Sequence, residues 1–181
     1  MGAAAVKAKN PRREREWSGI IGKQTIAHTM LNKLIHTNPD AAPIILRLAL
    51  GVVFFVHGAQ KMLGWWGGYG FSATTNAFGH MGIPAVFAFL AIAAEFCGGI
   101  GLILGLLGRV AAFGIACVML VAIVKVHAVN GFFMNWAGQQ KGEGIEYHVL
   151  VLAMTAAIMI AGSGAWSVDR ALIPSGPAAE R

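Results

Sequence analysis

Four long apolar stretches dominate the pattern of hydrophobic and polar positions along this chain. Each approaches the length of about 20 mostly apolar residues that a helix needs to cross a bilayer. They span Pro43–Leu63, Pro84–Leu107, Arg109–Val129 and Ile145–Gly162. The pattern therefore predicts an all-α, polytopic membrane protein built as a bundle of four transmembrane helices.

The chain before the first span has a different pattern. Residues 1–17 are charged and aperiodic and are predicted to form a disordered basic arm. Over 18–37, Ile26, Met30 and Leu34 recur at helical spacing, with polar residues on the opposite face. This pattern favours an amphipathic helix lying at the membrane interface, and a helix docked on a soluble partner is the alternative. Residues 173–181 are predicted to be a C-terminal tail.

Composition supports the membrane prediction. Hydrophobic residues make up 56% of the chain and charged residues only 12%, whereas a soluble domain has about 25% charged residues. The net charge of +6 raises the question of nucleic acid. Half of the 14 lysine and arginine residues, however, precede Pro43. A basic arm next to a span is explained by topology and anionic lipid, so no nucleic-acid partner is predicted.

The distribution of basic residues also predicts the orientation. Arg109, Arg170 and Arg181 lie on the same side as the basic arm, and the other side holds Lys141, with Lys61 at its edge. The positive-inside rule then places both termini in the cytoplasm. Because the first 40 residues lack a continuous apolar run, the first span is expected to act as the insertion signal.

Ionisable residues within the spans are the candidate functional residues, because each costs a few kcal/mol unless it is paired or hydrated. They are Arg47, His57, Lys61, Glu95, Lys125, His127, Glu146 and His148. Glu95 lies about 16 Å into the second span, near the bilayer centre. It is expected to be protonated, or paired with His57, Lys61 or Arg47. All of these residues other than Glu95 and Arg47 fall in one layer near the outer surface. Snorkelling to headgroups is an alternative for Arg47, Lys61 and Lys125.

Aromatic residues follow the first and third spans at Trp65, Trp66 and Trp136. An aromatic belt at the headgroup level is one explanation. A rim for a flat ligand such as a quinone, entering from the lipid, is the other.

Motifs for other chemistries are absent from the sequence. It contains no His-Glu-x-x-His, Cys-x-x-Cys, phosphate-binding loop or dinucleotide fingerprint. The histidine and carboxylate spacing matches no standard metal site, so no metal is predicted. Cys97 and Cys117 are interpreted as small packing residues rather than a disulfide.

Several short motifs, taken in their order along the four spans, resemble the DoxX family of small four-helix bacterial membrane proteins. The motifs are Arg47-Leu48-x-x-Gly51, Gly58-x-x-Lys61, Gly82-Ile83-Pro84, Glu95-x-x-Gly98-Gly99, Gly105-Leu106-x-x-Arg109, His127, Glu146 and Gly162-x-Gly164-x-x-Ser167-x-Asp169. The resemblance covers roughly residues 44–172, and the predicted domain is 43–172. It implies an inner-membrane four-helix bundle. Some relatives, the DoxD-like proteins, are the membrane subunit of a thiosulfate:quinone oxidoreductase, and others are linked to oxidative-stress complexes.

These observations lead to one functional hypothesis and two alternatives. The hypothesis is a redox-associated, quinone-linked subunit in which membrane-level His and Glu supply hydrogen bonds and protons. Because the sequence shows no electron carrier, electrons would come from a partner, either another membrane subunit or a peripheral redox subunit. A small proton-coupled transporter or channel is the first alternative. A structural assembly subunit, which includes self-association, is the second.

Overall fold

The structure, a computed structural model, describes residues 33–37 and 40–173. The predicted arm over 1–17, most of the predicted interfacial helix over 18–37 and nearly all of the tail over 173–181 lie outside these residues. The following description concerns the unit that begins at Ile35.

Helices account for most of this unit. They are α1 (Ala42–Leu63), α2 (Gly70–His80), α3 (Ala85–Leu104), α4 (Gly108–Ala122), α5 (Glu146–Ala161) and α6 (Val168–Leu172), with a π turn (Ile123–His127) and a 3₁₀ turn (Ala128–Asn130) extending α4. Three segments are long and apolar enough to cross a membrane, namely α1, α3 and the continuous Gly108–Asn130, while α5 is apolar but shorter. The predicted all-α membrane bundle is therefore confirmed. The helix α2, which lies between the first two spans, was not predicted.

Proline and glycine set the ends of the first two spans. Pro43 lies in the first turn of α1, and Gly64 ends that helix with a φ of 74°. Pro84 precedes α3, and Gly105 ends it with a φ of 67°. Glycine is favoured at both ends because it adopts positive φ without a steric penalty.

The antiparallel helices give the bundle two ends. The loop end carries α2 and the connection 131–145, and the terminal end carries the start of α1, the α3–α4 turn and α6. At the terminal end, the buried carboxylate of Asp169 accepts hydrogen bonds from the amides of Leu107 (2.7 Å) and Gly108 (3.1 Å). It thereby caps the N-terminus of α4, where backbone donors lack helical partners.

Close backbone approach joins α1 to α3. A Cβ added at Gly58 would overlap the backbone of Glu95 and Phe96, and one at Gly99 would overlap the backbone of Phe55. Small residues at such positions let membrane helices pack at short range. The same approach brings the last turn of α1 against the middle of α3.

A cluster of buried apolar side chains fills much of the interior of the bundle. Its largest buried side chains are Phe54 on α1, Leu102 on α3, Ile115 on α4 and Ile158 on α5, each no more than 1% exposed. They belong to one apolar cluster to which all four of these helices contribute.

Candidate functional site at the loop end

A buried ion pair between α1 and α3 is the centre of the candidate site. The ammonium of Lys61 donates to Oε2 of Glu95. The Glu95 side chain is 5% exposed and that of Lys61 28%. Because Gly58 lies one turn before Lys61, the α1 backbone comes close enough to α3 for the lysine to reach this carboxylate. Of the three partners expected for Glu95, the structure selects Lys61.

His57 lies at the edge of this pair. It is one turn before Lys61 and within the electrostatic field of both Lys61 and Glu95. Its side chain is nevertheless exposed. The histidine is rotated away from the line of Gly51, Phe54 and Gly58 that faces the bundle, so it belongs to the outer surface of α1.

The hydroxyl of Tyr147 points into the bundle from α5. The oxygen is buried and has no hydrogen-bond partner among the residues that the structure describes. Its ring lies 5.6 Å from that of His148. The site therefore includes a phenol that was not predicted from the sequence.

Two histidines meet beside Tyr147. The rings of His127 and His148 lie 4.1 Å apart between centroids, and the ring of Tyr147 lies 5.6 Å from that of His148. Nδ1 of His127 is 2.9 Å from the carbonyl oxygen of Glu143. His148 is 5% exposed. The Gly144 carbonyl lies near its ring, but Nδ1 makes no hydrogen bond of acceptable geometry within 33–37 and 40–173.

The π turn explains how His127 reaches His148. The buried face of α4 follows Ala112, Ile115 and Met119. In an unbroken α-helix this face would continue to Val126, two turns after Met119. A π turn adds one residue to a helical turn, so the face passes to the next position. Val126 is accordingly exposed, and the partly buried His127 takes its place.

Glu146 does not join the ion pair or the histidine pair by any described contact. Its carboxylate accepts a hydrogen bond from the amide of Met134 at 3.1 Å. The nearby Glu143 carboxylate accepts one from the amide of Asn135 at 2.6 Å. Both carboxylates thus bind the backbone of the connection 131–145. For this reason Glu146 does not join the outer layer of ionisable residues that its position in the sequence predicted.

Arg47 lies at the terminal end, far from the ion pair. Its guanidinium donates to the carbonyls of Leu102 (3.1 Å), Ile103 (2.6 Å) and Trp166 (2.7 Å). The side chain is only 3% exposed, so it does not snorkel to headgroups. It pairs with the free carbonyls at the C-terminus of α3 instead. Both readings of Arg47 from the sequence, snorkelling and pairing with Glu95, are therefore wrong.

Comparison with known proteins identifies the family. The DoxX family model matches residues 42–128. "Uncharacterized membrane protein Rv3486" of Mycobacterium tuberculosis is 32% identical over 146 residues, which cover 77% of this chain and 86% of that protein. The chain belongs to the DoxX family.

Two further DoxX relatives agree with this assignment. "Putative oxidoreductase CatD" of Bacillus subtilis is 29% identical over 130 residues, which cover 72% of this chain and 86% of the relative. "Inner membrane protein YqjF" of Escherichia coli is 28% identical over 133 residues, which cover 74% of this chain and 93% of the relative. No solved structure matches the chain significantly.

The region matched by the DoxX model divides the candidate site. It contains Lys61, Glu95 and His127 but ends before α5. Tyr147 and His148 therefore lie outside the matched region. The ion pair belongs to the part of the chain that carries the DoxX pattern, while the family model says nothing about the phenol and the second histidine.

The aromatic residues of the DoxX loop end are spread over two connections. Trp65 and Trp66 follow α1, with rings 5.5 Å apart, and Trp66 packs against Phe55 at 6.4 Å. Trp136 lies on the connection 131–145 and is 87% exposed. Trp65 and Trp66 are thus within two turns of Lys61 in sequence, whereas no described ring contact joins Trp136 to them.

The cysteines and the potential metal ligands of the described residues are dispersed over the structure. Across the described ranges 33–37 and 40–173, no group of three or more His, Cys, Asp or Glu side chains is arranged to hold a metal ion. Cys97 and Cys117 are free thiols on exposed helix faces. The two cysteines do not form a disulfide.

Proposed function

We propose that this DoxX protein is a redox-linked membrane subunit that binds a quinone headgroup at the loop end. The proposal rests on the partly buried Lys61–Glu95 pair and on the buried hydroxyl of Tyr147, which has no hydrogen-bond partner among the described residues. A buried polar group without a partner is costly and marks a place where a ligand oxygen would be stabilised. The name of the relative, "Putative oxidoreductase CatD", also supports a redox-linked function.

The residues present fit such a headgroup. The ammonium of Lys61 and the hydroxyl of Tyr147 are donors suited to quinone carbonyl oxygens. Glu95 is an acceptor that can hold a proton inside the bilayer. When bound, a quinone supplies two-electron, two-proton redox chemistry. The electrons come from a partner subunit, because the sequence shows no motif for an electron-carrying cofactor.

We also propose the bacterial inner membrane as the location, with both termini in the cytoplasm. The support is the basic excess before Pro43 together with Arg109, Arg170 and Arg181. The loop end then faces the outer side, and the ion pair lies in the outer half of the bilayer.

Quinone binding is tested on protein purified in nanodiscs of native membrane. Quinones are extracted and quantified by mass spectrometry, and binding to depleted protein is followed by tryptophan fluorescence. Lys61→Met, Glu95→Gln and Tyr147→Phe should each weaken binding at least about tenfold, as expected for lost hydrogen bonds to a buried ligand.

The controls remove the same groups from exposed positions, by Lys141→Met, Glu143→Gln and Tyr69→Phe. They should bind as the unchanged protein does. Quinone content no higher than in the surrounding lipid, or equal binding by all six variants, would refute the proposal and favour an assembly subunit.

A transporter or channel is less well supported by the packing. Transport needs polar groups that continue from one surface to the other. Along α1, the buried Phe54 lies midway between Arg47 and Lys61, and no described hydrogen bond joins these two polar ends. The polar groups at the loop end are therefore better suited to a site reached from one side.

A further inference from the structure

The exposed indole of Trp166 is a feature of the terminal end that the proposed function does not use. Trp166 lies in the turn between α5 and α6 and is 88% exposed, although tryptophan is highly buried on average. Its φ is 48°, a left-handed conformation that is unfavourable for residues other than glycine. A large side chain held outwards on a strained backbone marks a candidate binding surface.

Hydrogen bonds to distant parts of the chain hold the backbone in this conformation. The carbonyl of Trp166 accepts a hydrogen bond from the buried guanidinium of Arg47 at 2.7 Å. The amide of the preceding residue, Ala165, donates to the carbonyl of Asp40 at 3.0 Å. The backbone at Trp166 is therefore fixed, which lowers the entropy cost of placing its indole against a ligand.

Arg47 also indicates the depth of Trp166 in the membrane. The same guanidinium binds the carbonyls of Leu102 and Ile103 in the last turn of α3. The 20 residues of α3 extend about 30 Å, which equals the thickness of the hydrocarbon region. The last turn of α3, and with it the backbone of Trp166, is therefore expected at the headgroup boundary, where tryptophan is favoured.

The helix α6 adds an apolar stripe and a cation to this surface. Val168 and Leu172 are one turn apart and so lie on the same face of α6, where they are 37% and 56% exposed. Arg170 is exposed, and within residues 33–37 and 40–173 its guanidinium has no hydrogen-bond or ion-pair partner. The neighbouring Asp169 does not pair with it, because that carboxylate is buried and bonded to amides at the start of α4.

We propose that Trp166, Arg170 and the α6 stripe of Val168 and Leu172 bind an anionic phospholipid of the inner leaflet. The guanidinium of Arg170 suits a lipid phosphate, which it can bind through two N–H groups. The indole N–H of Trp166 is a further donor at the level of the glycerol backbone. The α6 stripe packs against the first methylenes of the acyl chains. The leaflet follows from the orientation proposed above, whereas the site itself is independent of quinone.

The size and chemistry of the surface favour a lipid over other ligands. The helix α6 has only five residues, whereas a stable protein complex buries about 800 Å² on each partner. A free phosphate ion would bind Arg170 but would leave the indole and the α6 stripe in water. A phospholipid covers all three groups at once.

The test follows the fluorescence of Trp166 in the full chain held in nanodiscs. Trp166 is made the sole tryptophan by replacing Trp17, Trp65, Trp66 and Trp136 with phenylalanine. Phosphatidylglycerol and phosphatidylcholine, each brominated in the upper part of its acyl chains, are compared as contact quenchers. Quenching should indicate about a fivefold preference for phosphatidylglycerol, as expected for one arginine near an anionic headgroup.

Arg170→Gln should abolish this preference and Arg170→Lys should retain most of it. Lys141→Gln removes the same charge from the loop end and serves as the matched control, so it should leave the preference unchanged. If the single-tryptophan protein is not folded by circular dichroism, the Trp166 signal is taken as the difference between the original protein and Trp166→Phe.

Three results would overturn the proposal. The first is an indole that iodide quenches from water and that neither brominated lipid quenches, which would favour a surface for a soluble partner. The second is an equal loss of preference in Arg170→Gln and Lys141→Gln. The third is displacement of the brominated lipid by free glycerol phosphate, which would make the ligand a soluble phosphate.

Discussion

The Lys61–Glu95 pair allows a quantitative test of how much an ion pair inside the membrane contributes to stability. Removing one partner of a buried pair costs about 3–5 kcal/mol, whereas an exposed pair contributes about 0–1 kcal/mol. Glu95 is 5% exposed and Lys61 28%. The pair therefore lies between these limits and nearer the buried one.

We expect Glu95→Gln and Lys61→Met each to lower the free energy of unfolding by about 2–3 kcal/mol, because each leaves one charge without its partner. The double variant should lose about as much as either single variant, since no unpaired charge remains. The expected coupling free energy is then about 2–3 kcal/mol.

The assay is equilibrium unfolding in bicelles followed by tryptophan fluorescence, applied to the four members of the cycle. The exposed pair of substitutions Lys141→Met and Glu143→Gln forms a second cycle as the control, and we expect its effects to be additive. Additive losses in the Lys61–Glu95 cycle would refute the reasoning. They would mean that water or lipid headgroups already neutralise both charges.

Three further predictions concern packing, capping and topology. Gly58→Ala should lower the free energy of unfolding by about 1–3 kcal/mol, because its Cβ would overlap the α3 backbone. The control Gly79→Ala places its Cβ in open space and should not lower this free energy. Equal effects of the two substitutions would contradict the close approach of α1 to α3. Asp169→Asn should lower the free energy of unfolding by about 1–2 kcal/mol, because the negative charge at the α4 N-terminus is lost. Asp40→Asn, at an exposed position, should leave this free energy unchanged. An Asp169→Asn protein as stable as the original would argue against the cap. Reporter fusions after positions 75 and 138 should be external and those at 1, 108 and 181 internal, and a periplasmic terminus would overturn the proposed orientation.

The sequence was a sufficient guide to the bundle because lipid imposes a strict length and polarity on each span. Pro43, Gly64, Pro84 and Gly105 also mark helix ends by local conformation alone. The helix α2 was not predicted because its sequence is short, contains glycine and has polar residues on several faces. In the structure it packs against α1 and α3.

The site was only partly predictable for a different reason. Glu95 stands out in any apolar stretch, and helical spacing places Lys61 on the face that meets it. Tyr147 was not predicted because the sequence argument relied on the cost of placing a charge in a span, and a phenol is uncharged. The role of His127 depends on the π turn, whose extra residue changes the helix face and leaves no signal in hydrophobic periodicity.

Arg47 illustrates a third kind of failure. Its type and depth predicted either a headgroup contact or a partner carboxylate. The carbonyls that it binds belong to the end of α3 and to Trp166, which lies 119 residues away in the chain. Only the fold brings these acceptors together.

The short fourth apolar helix has a consequence for the surrounding lipid. At 1.5 Å per residue, the 16 residues of α5 extend about 24 Å, whereas the 22 residues of α1 extend about 33 Å. The hydrocarbon region is about 30 Å thick, so the protein presents a smaller hydrophobic thickness at α5 than at α1. Backbone beyond α5 is already bonded within the protein, as in the bond from the amide of Asp169 to the carbonyl of Gly105. We therefore expect the bilayer to thin locally beside α5, where hydrophobic mismatch would gather short-chain lipids or an equally short neighbouring helix.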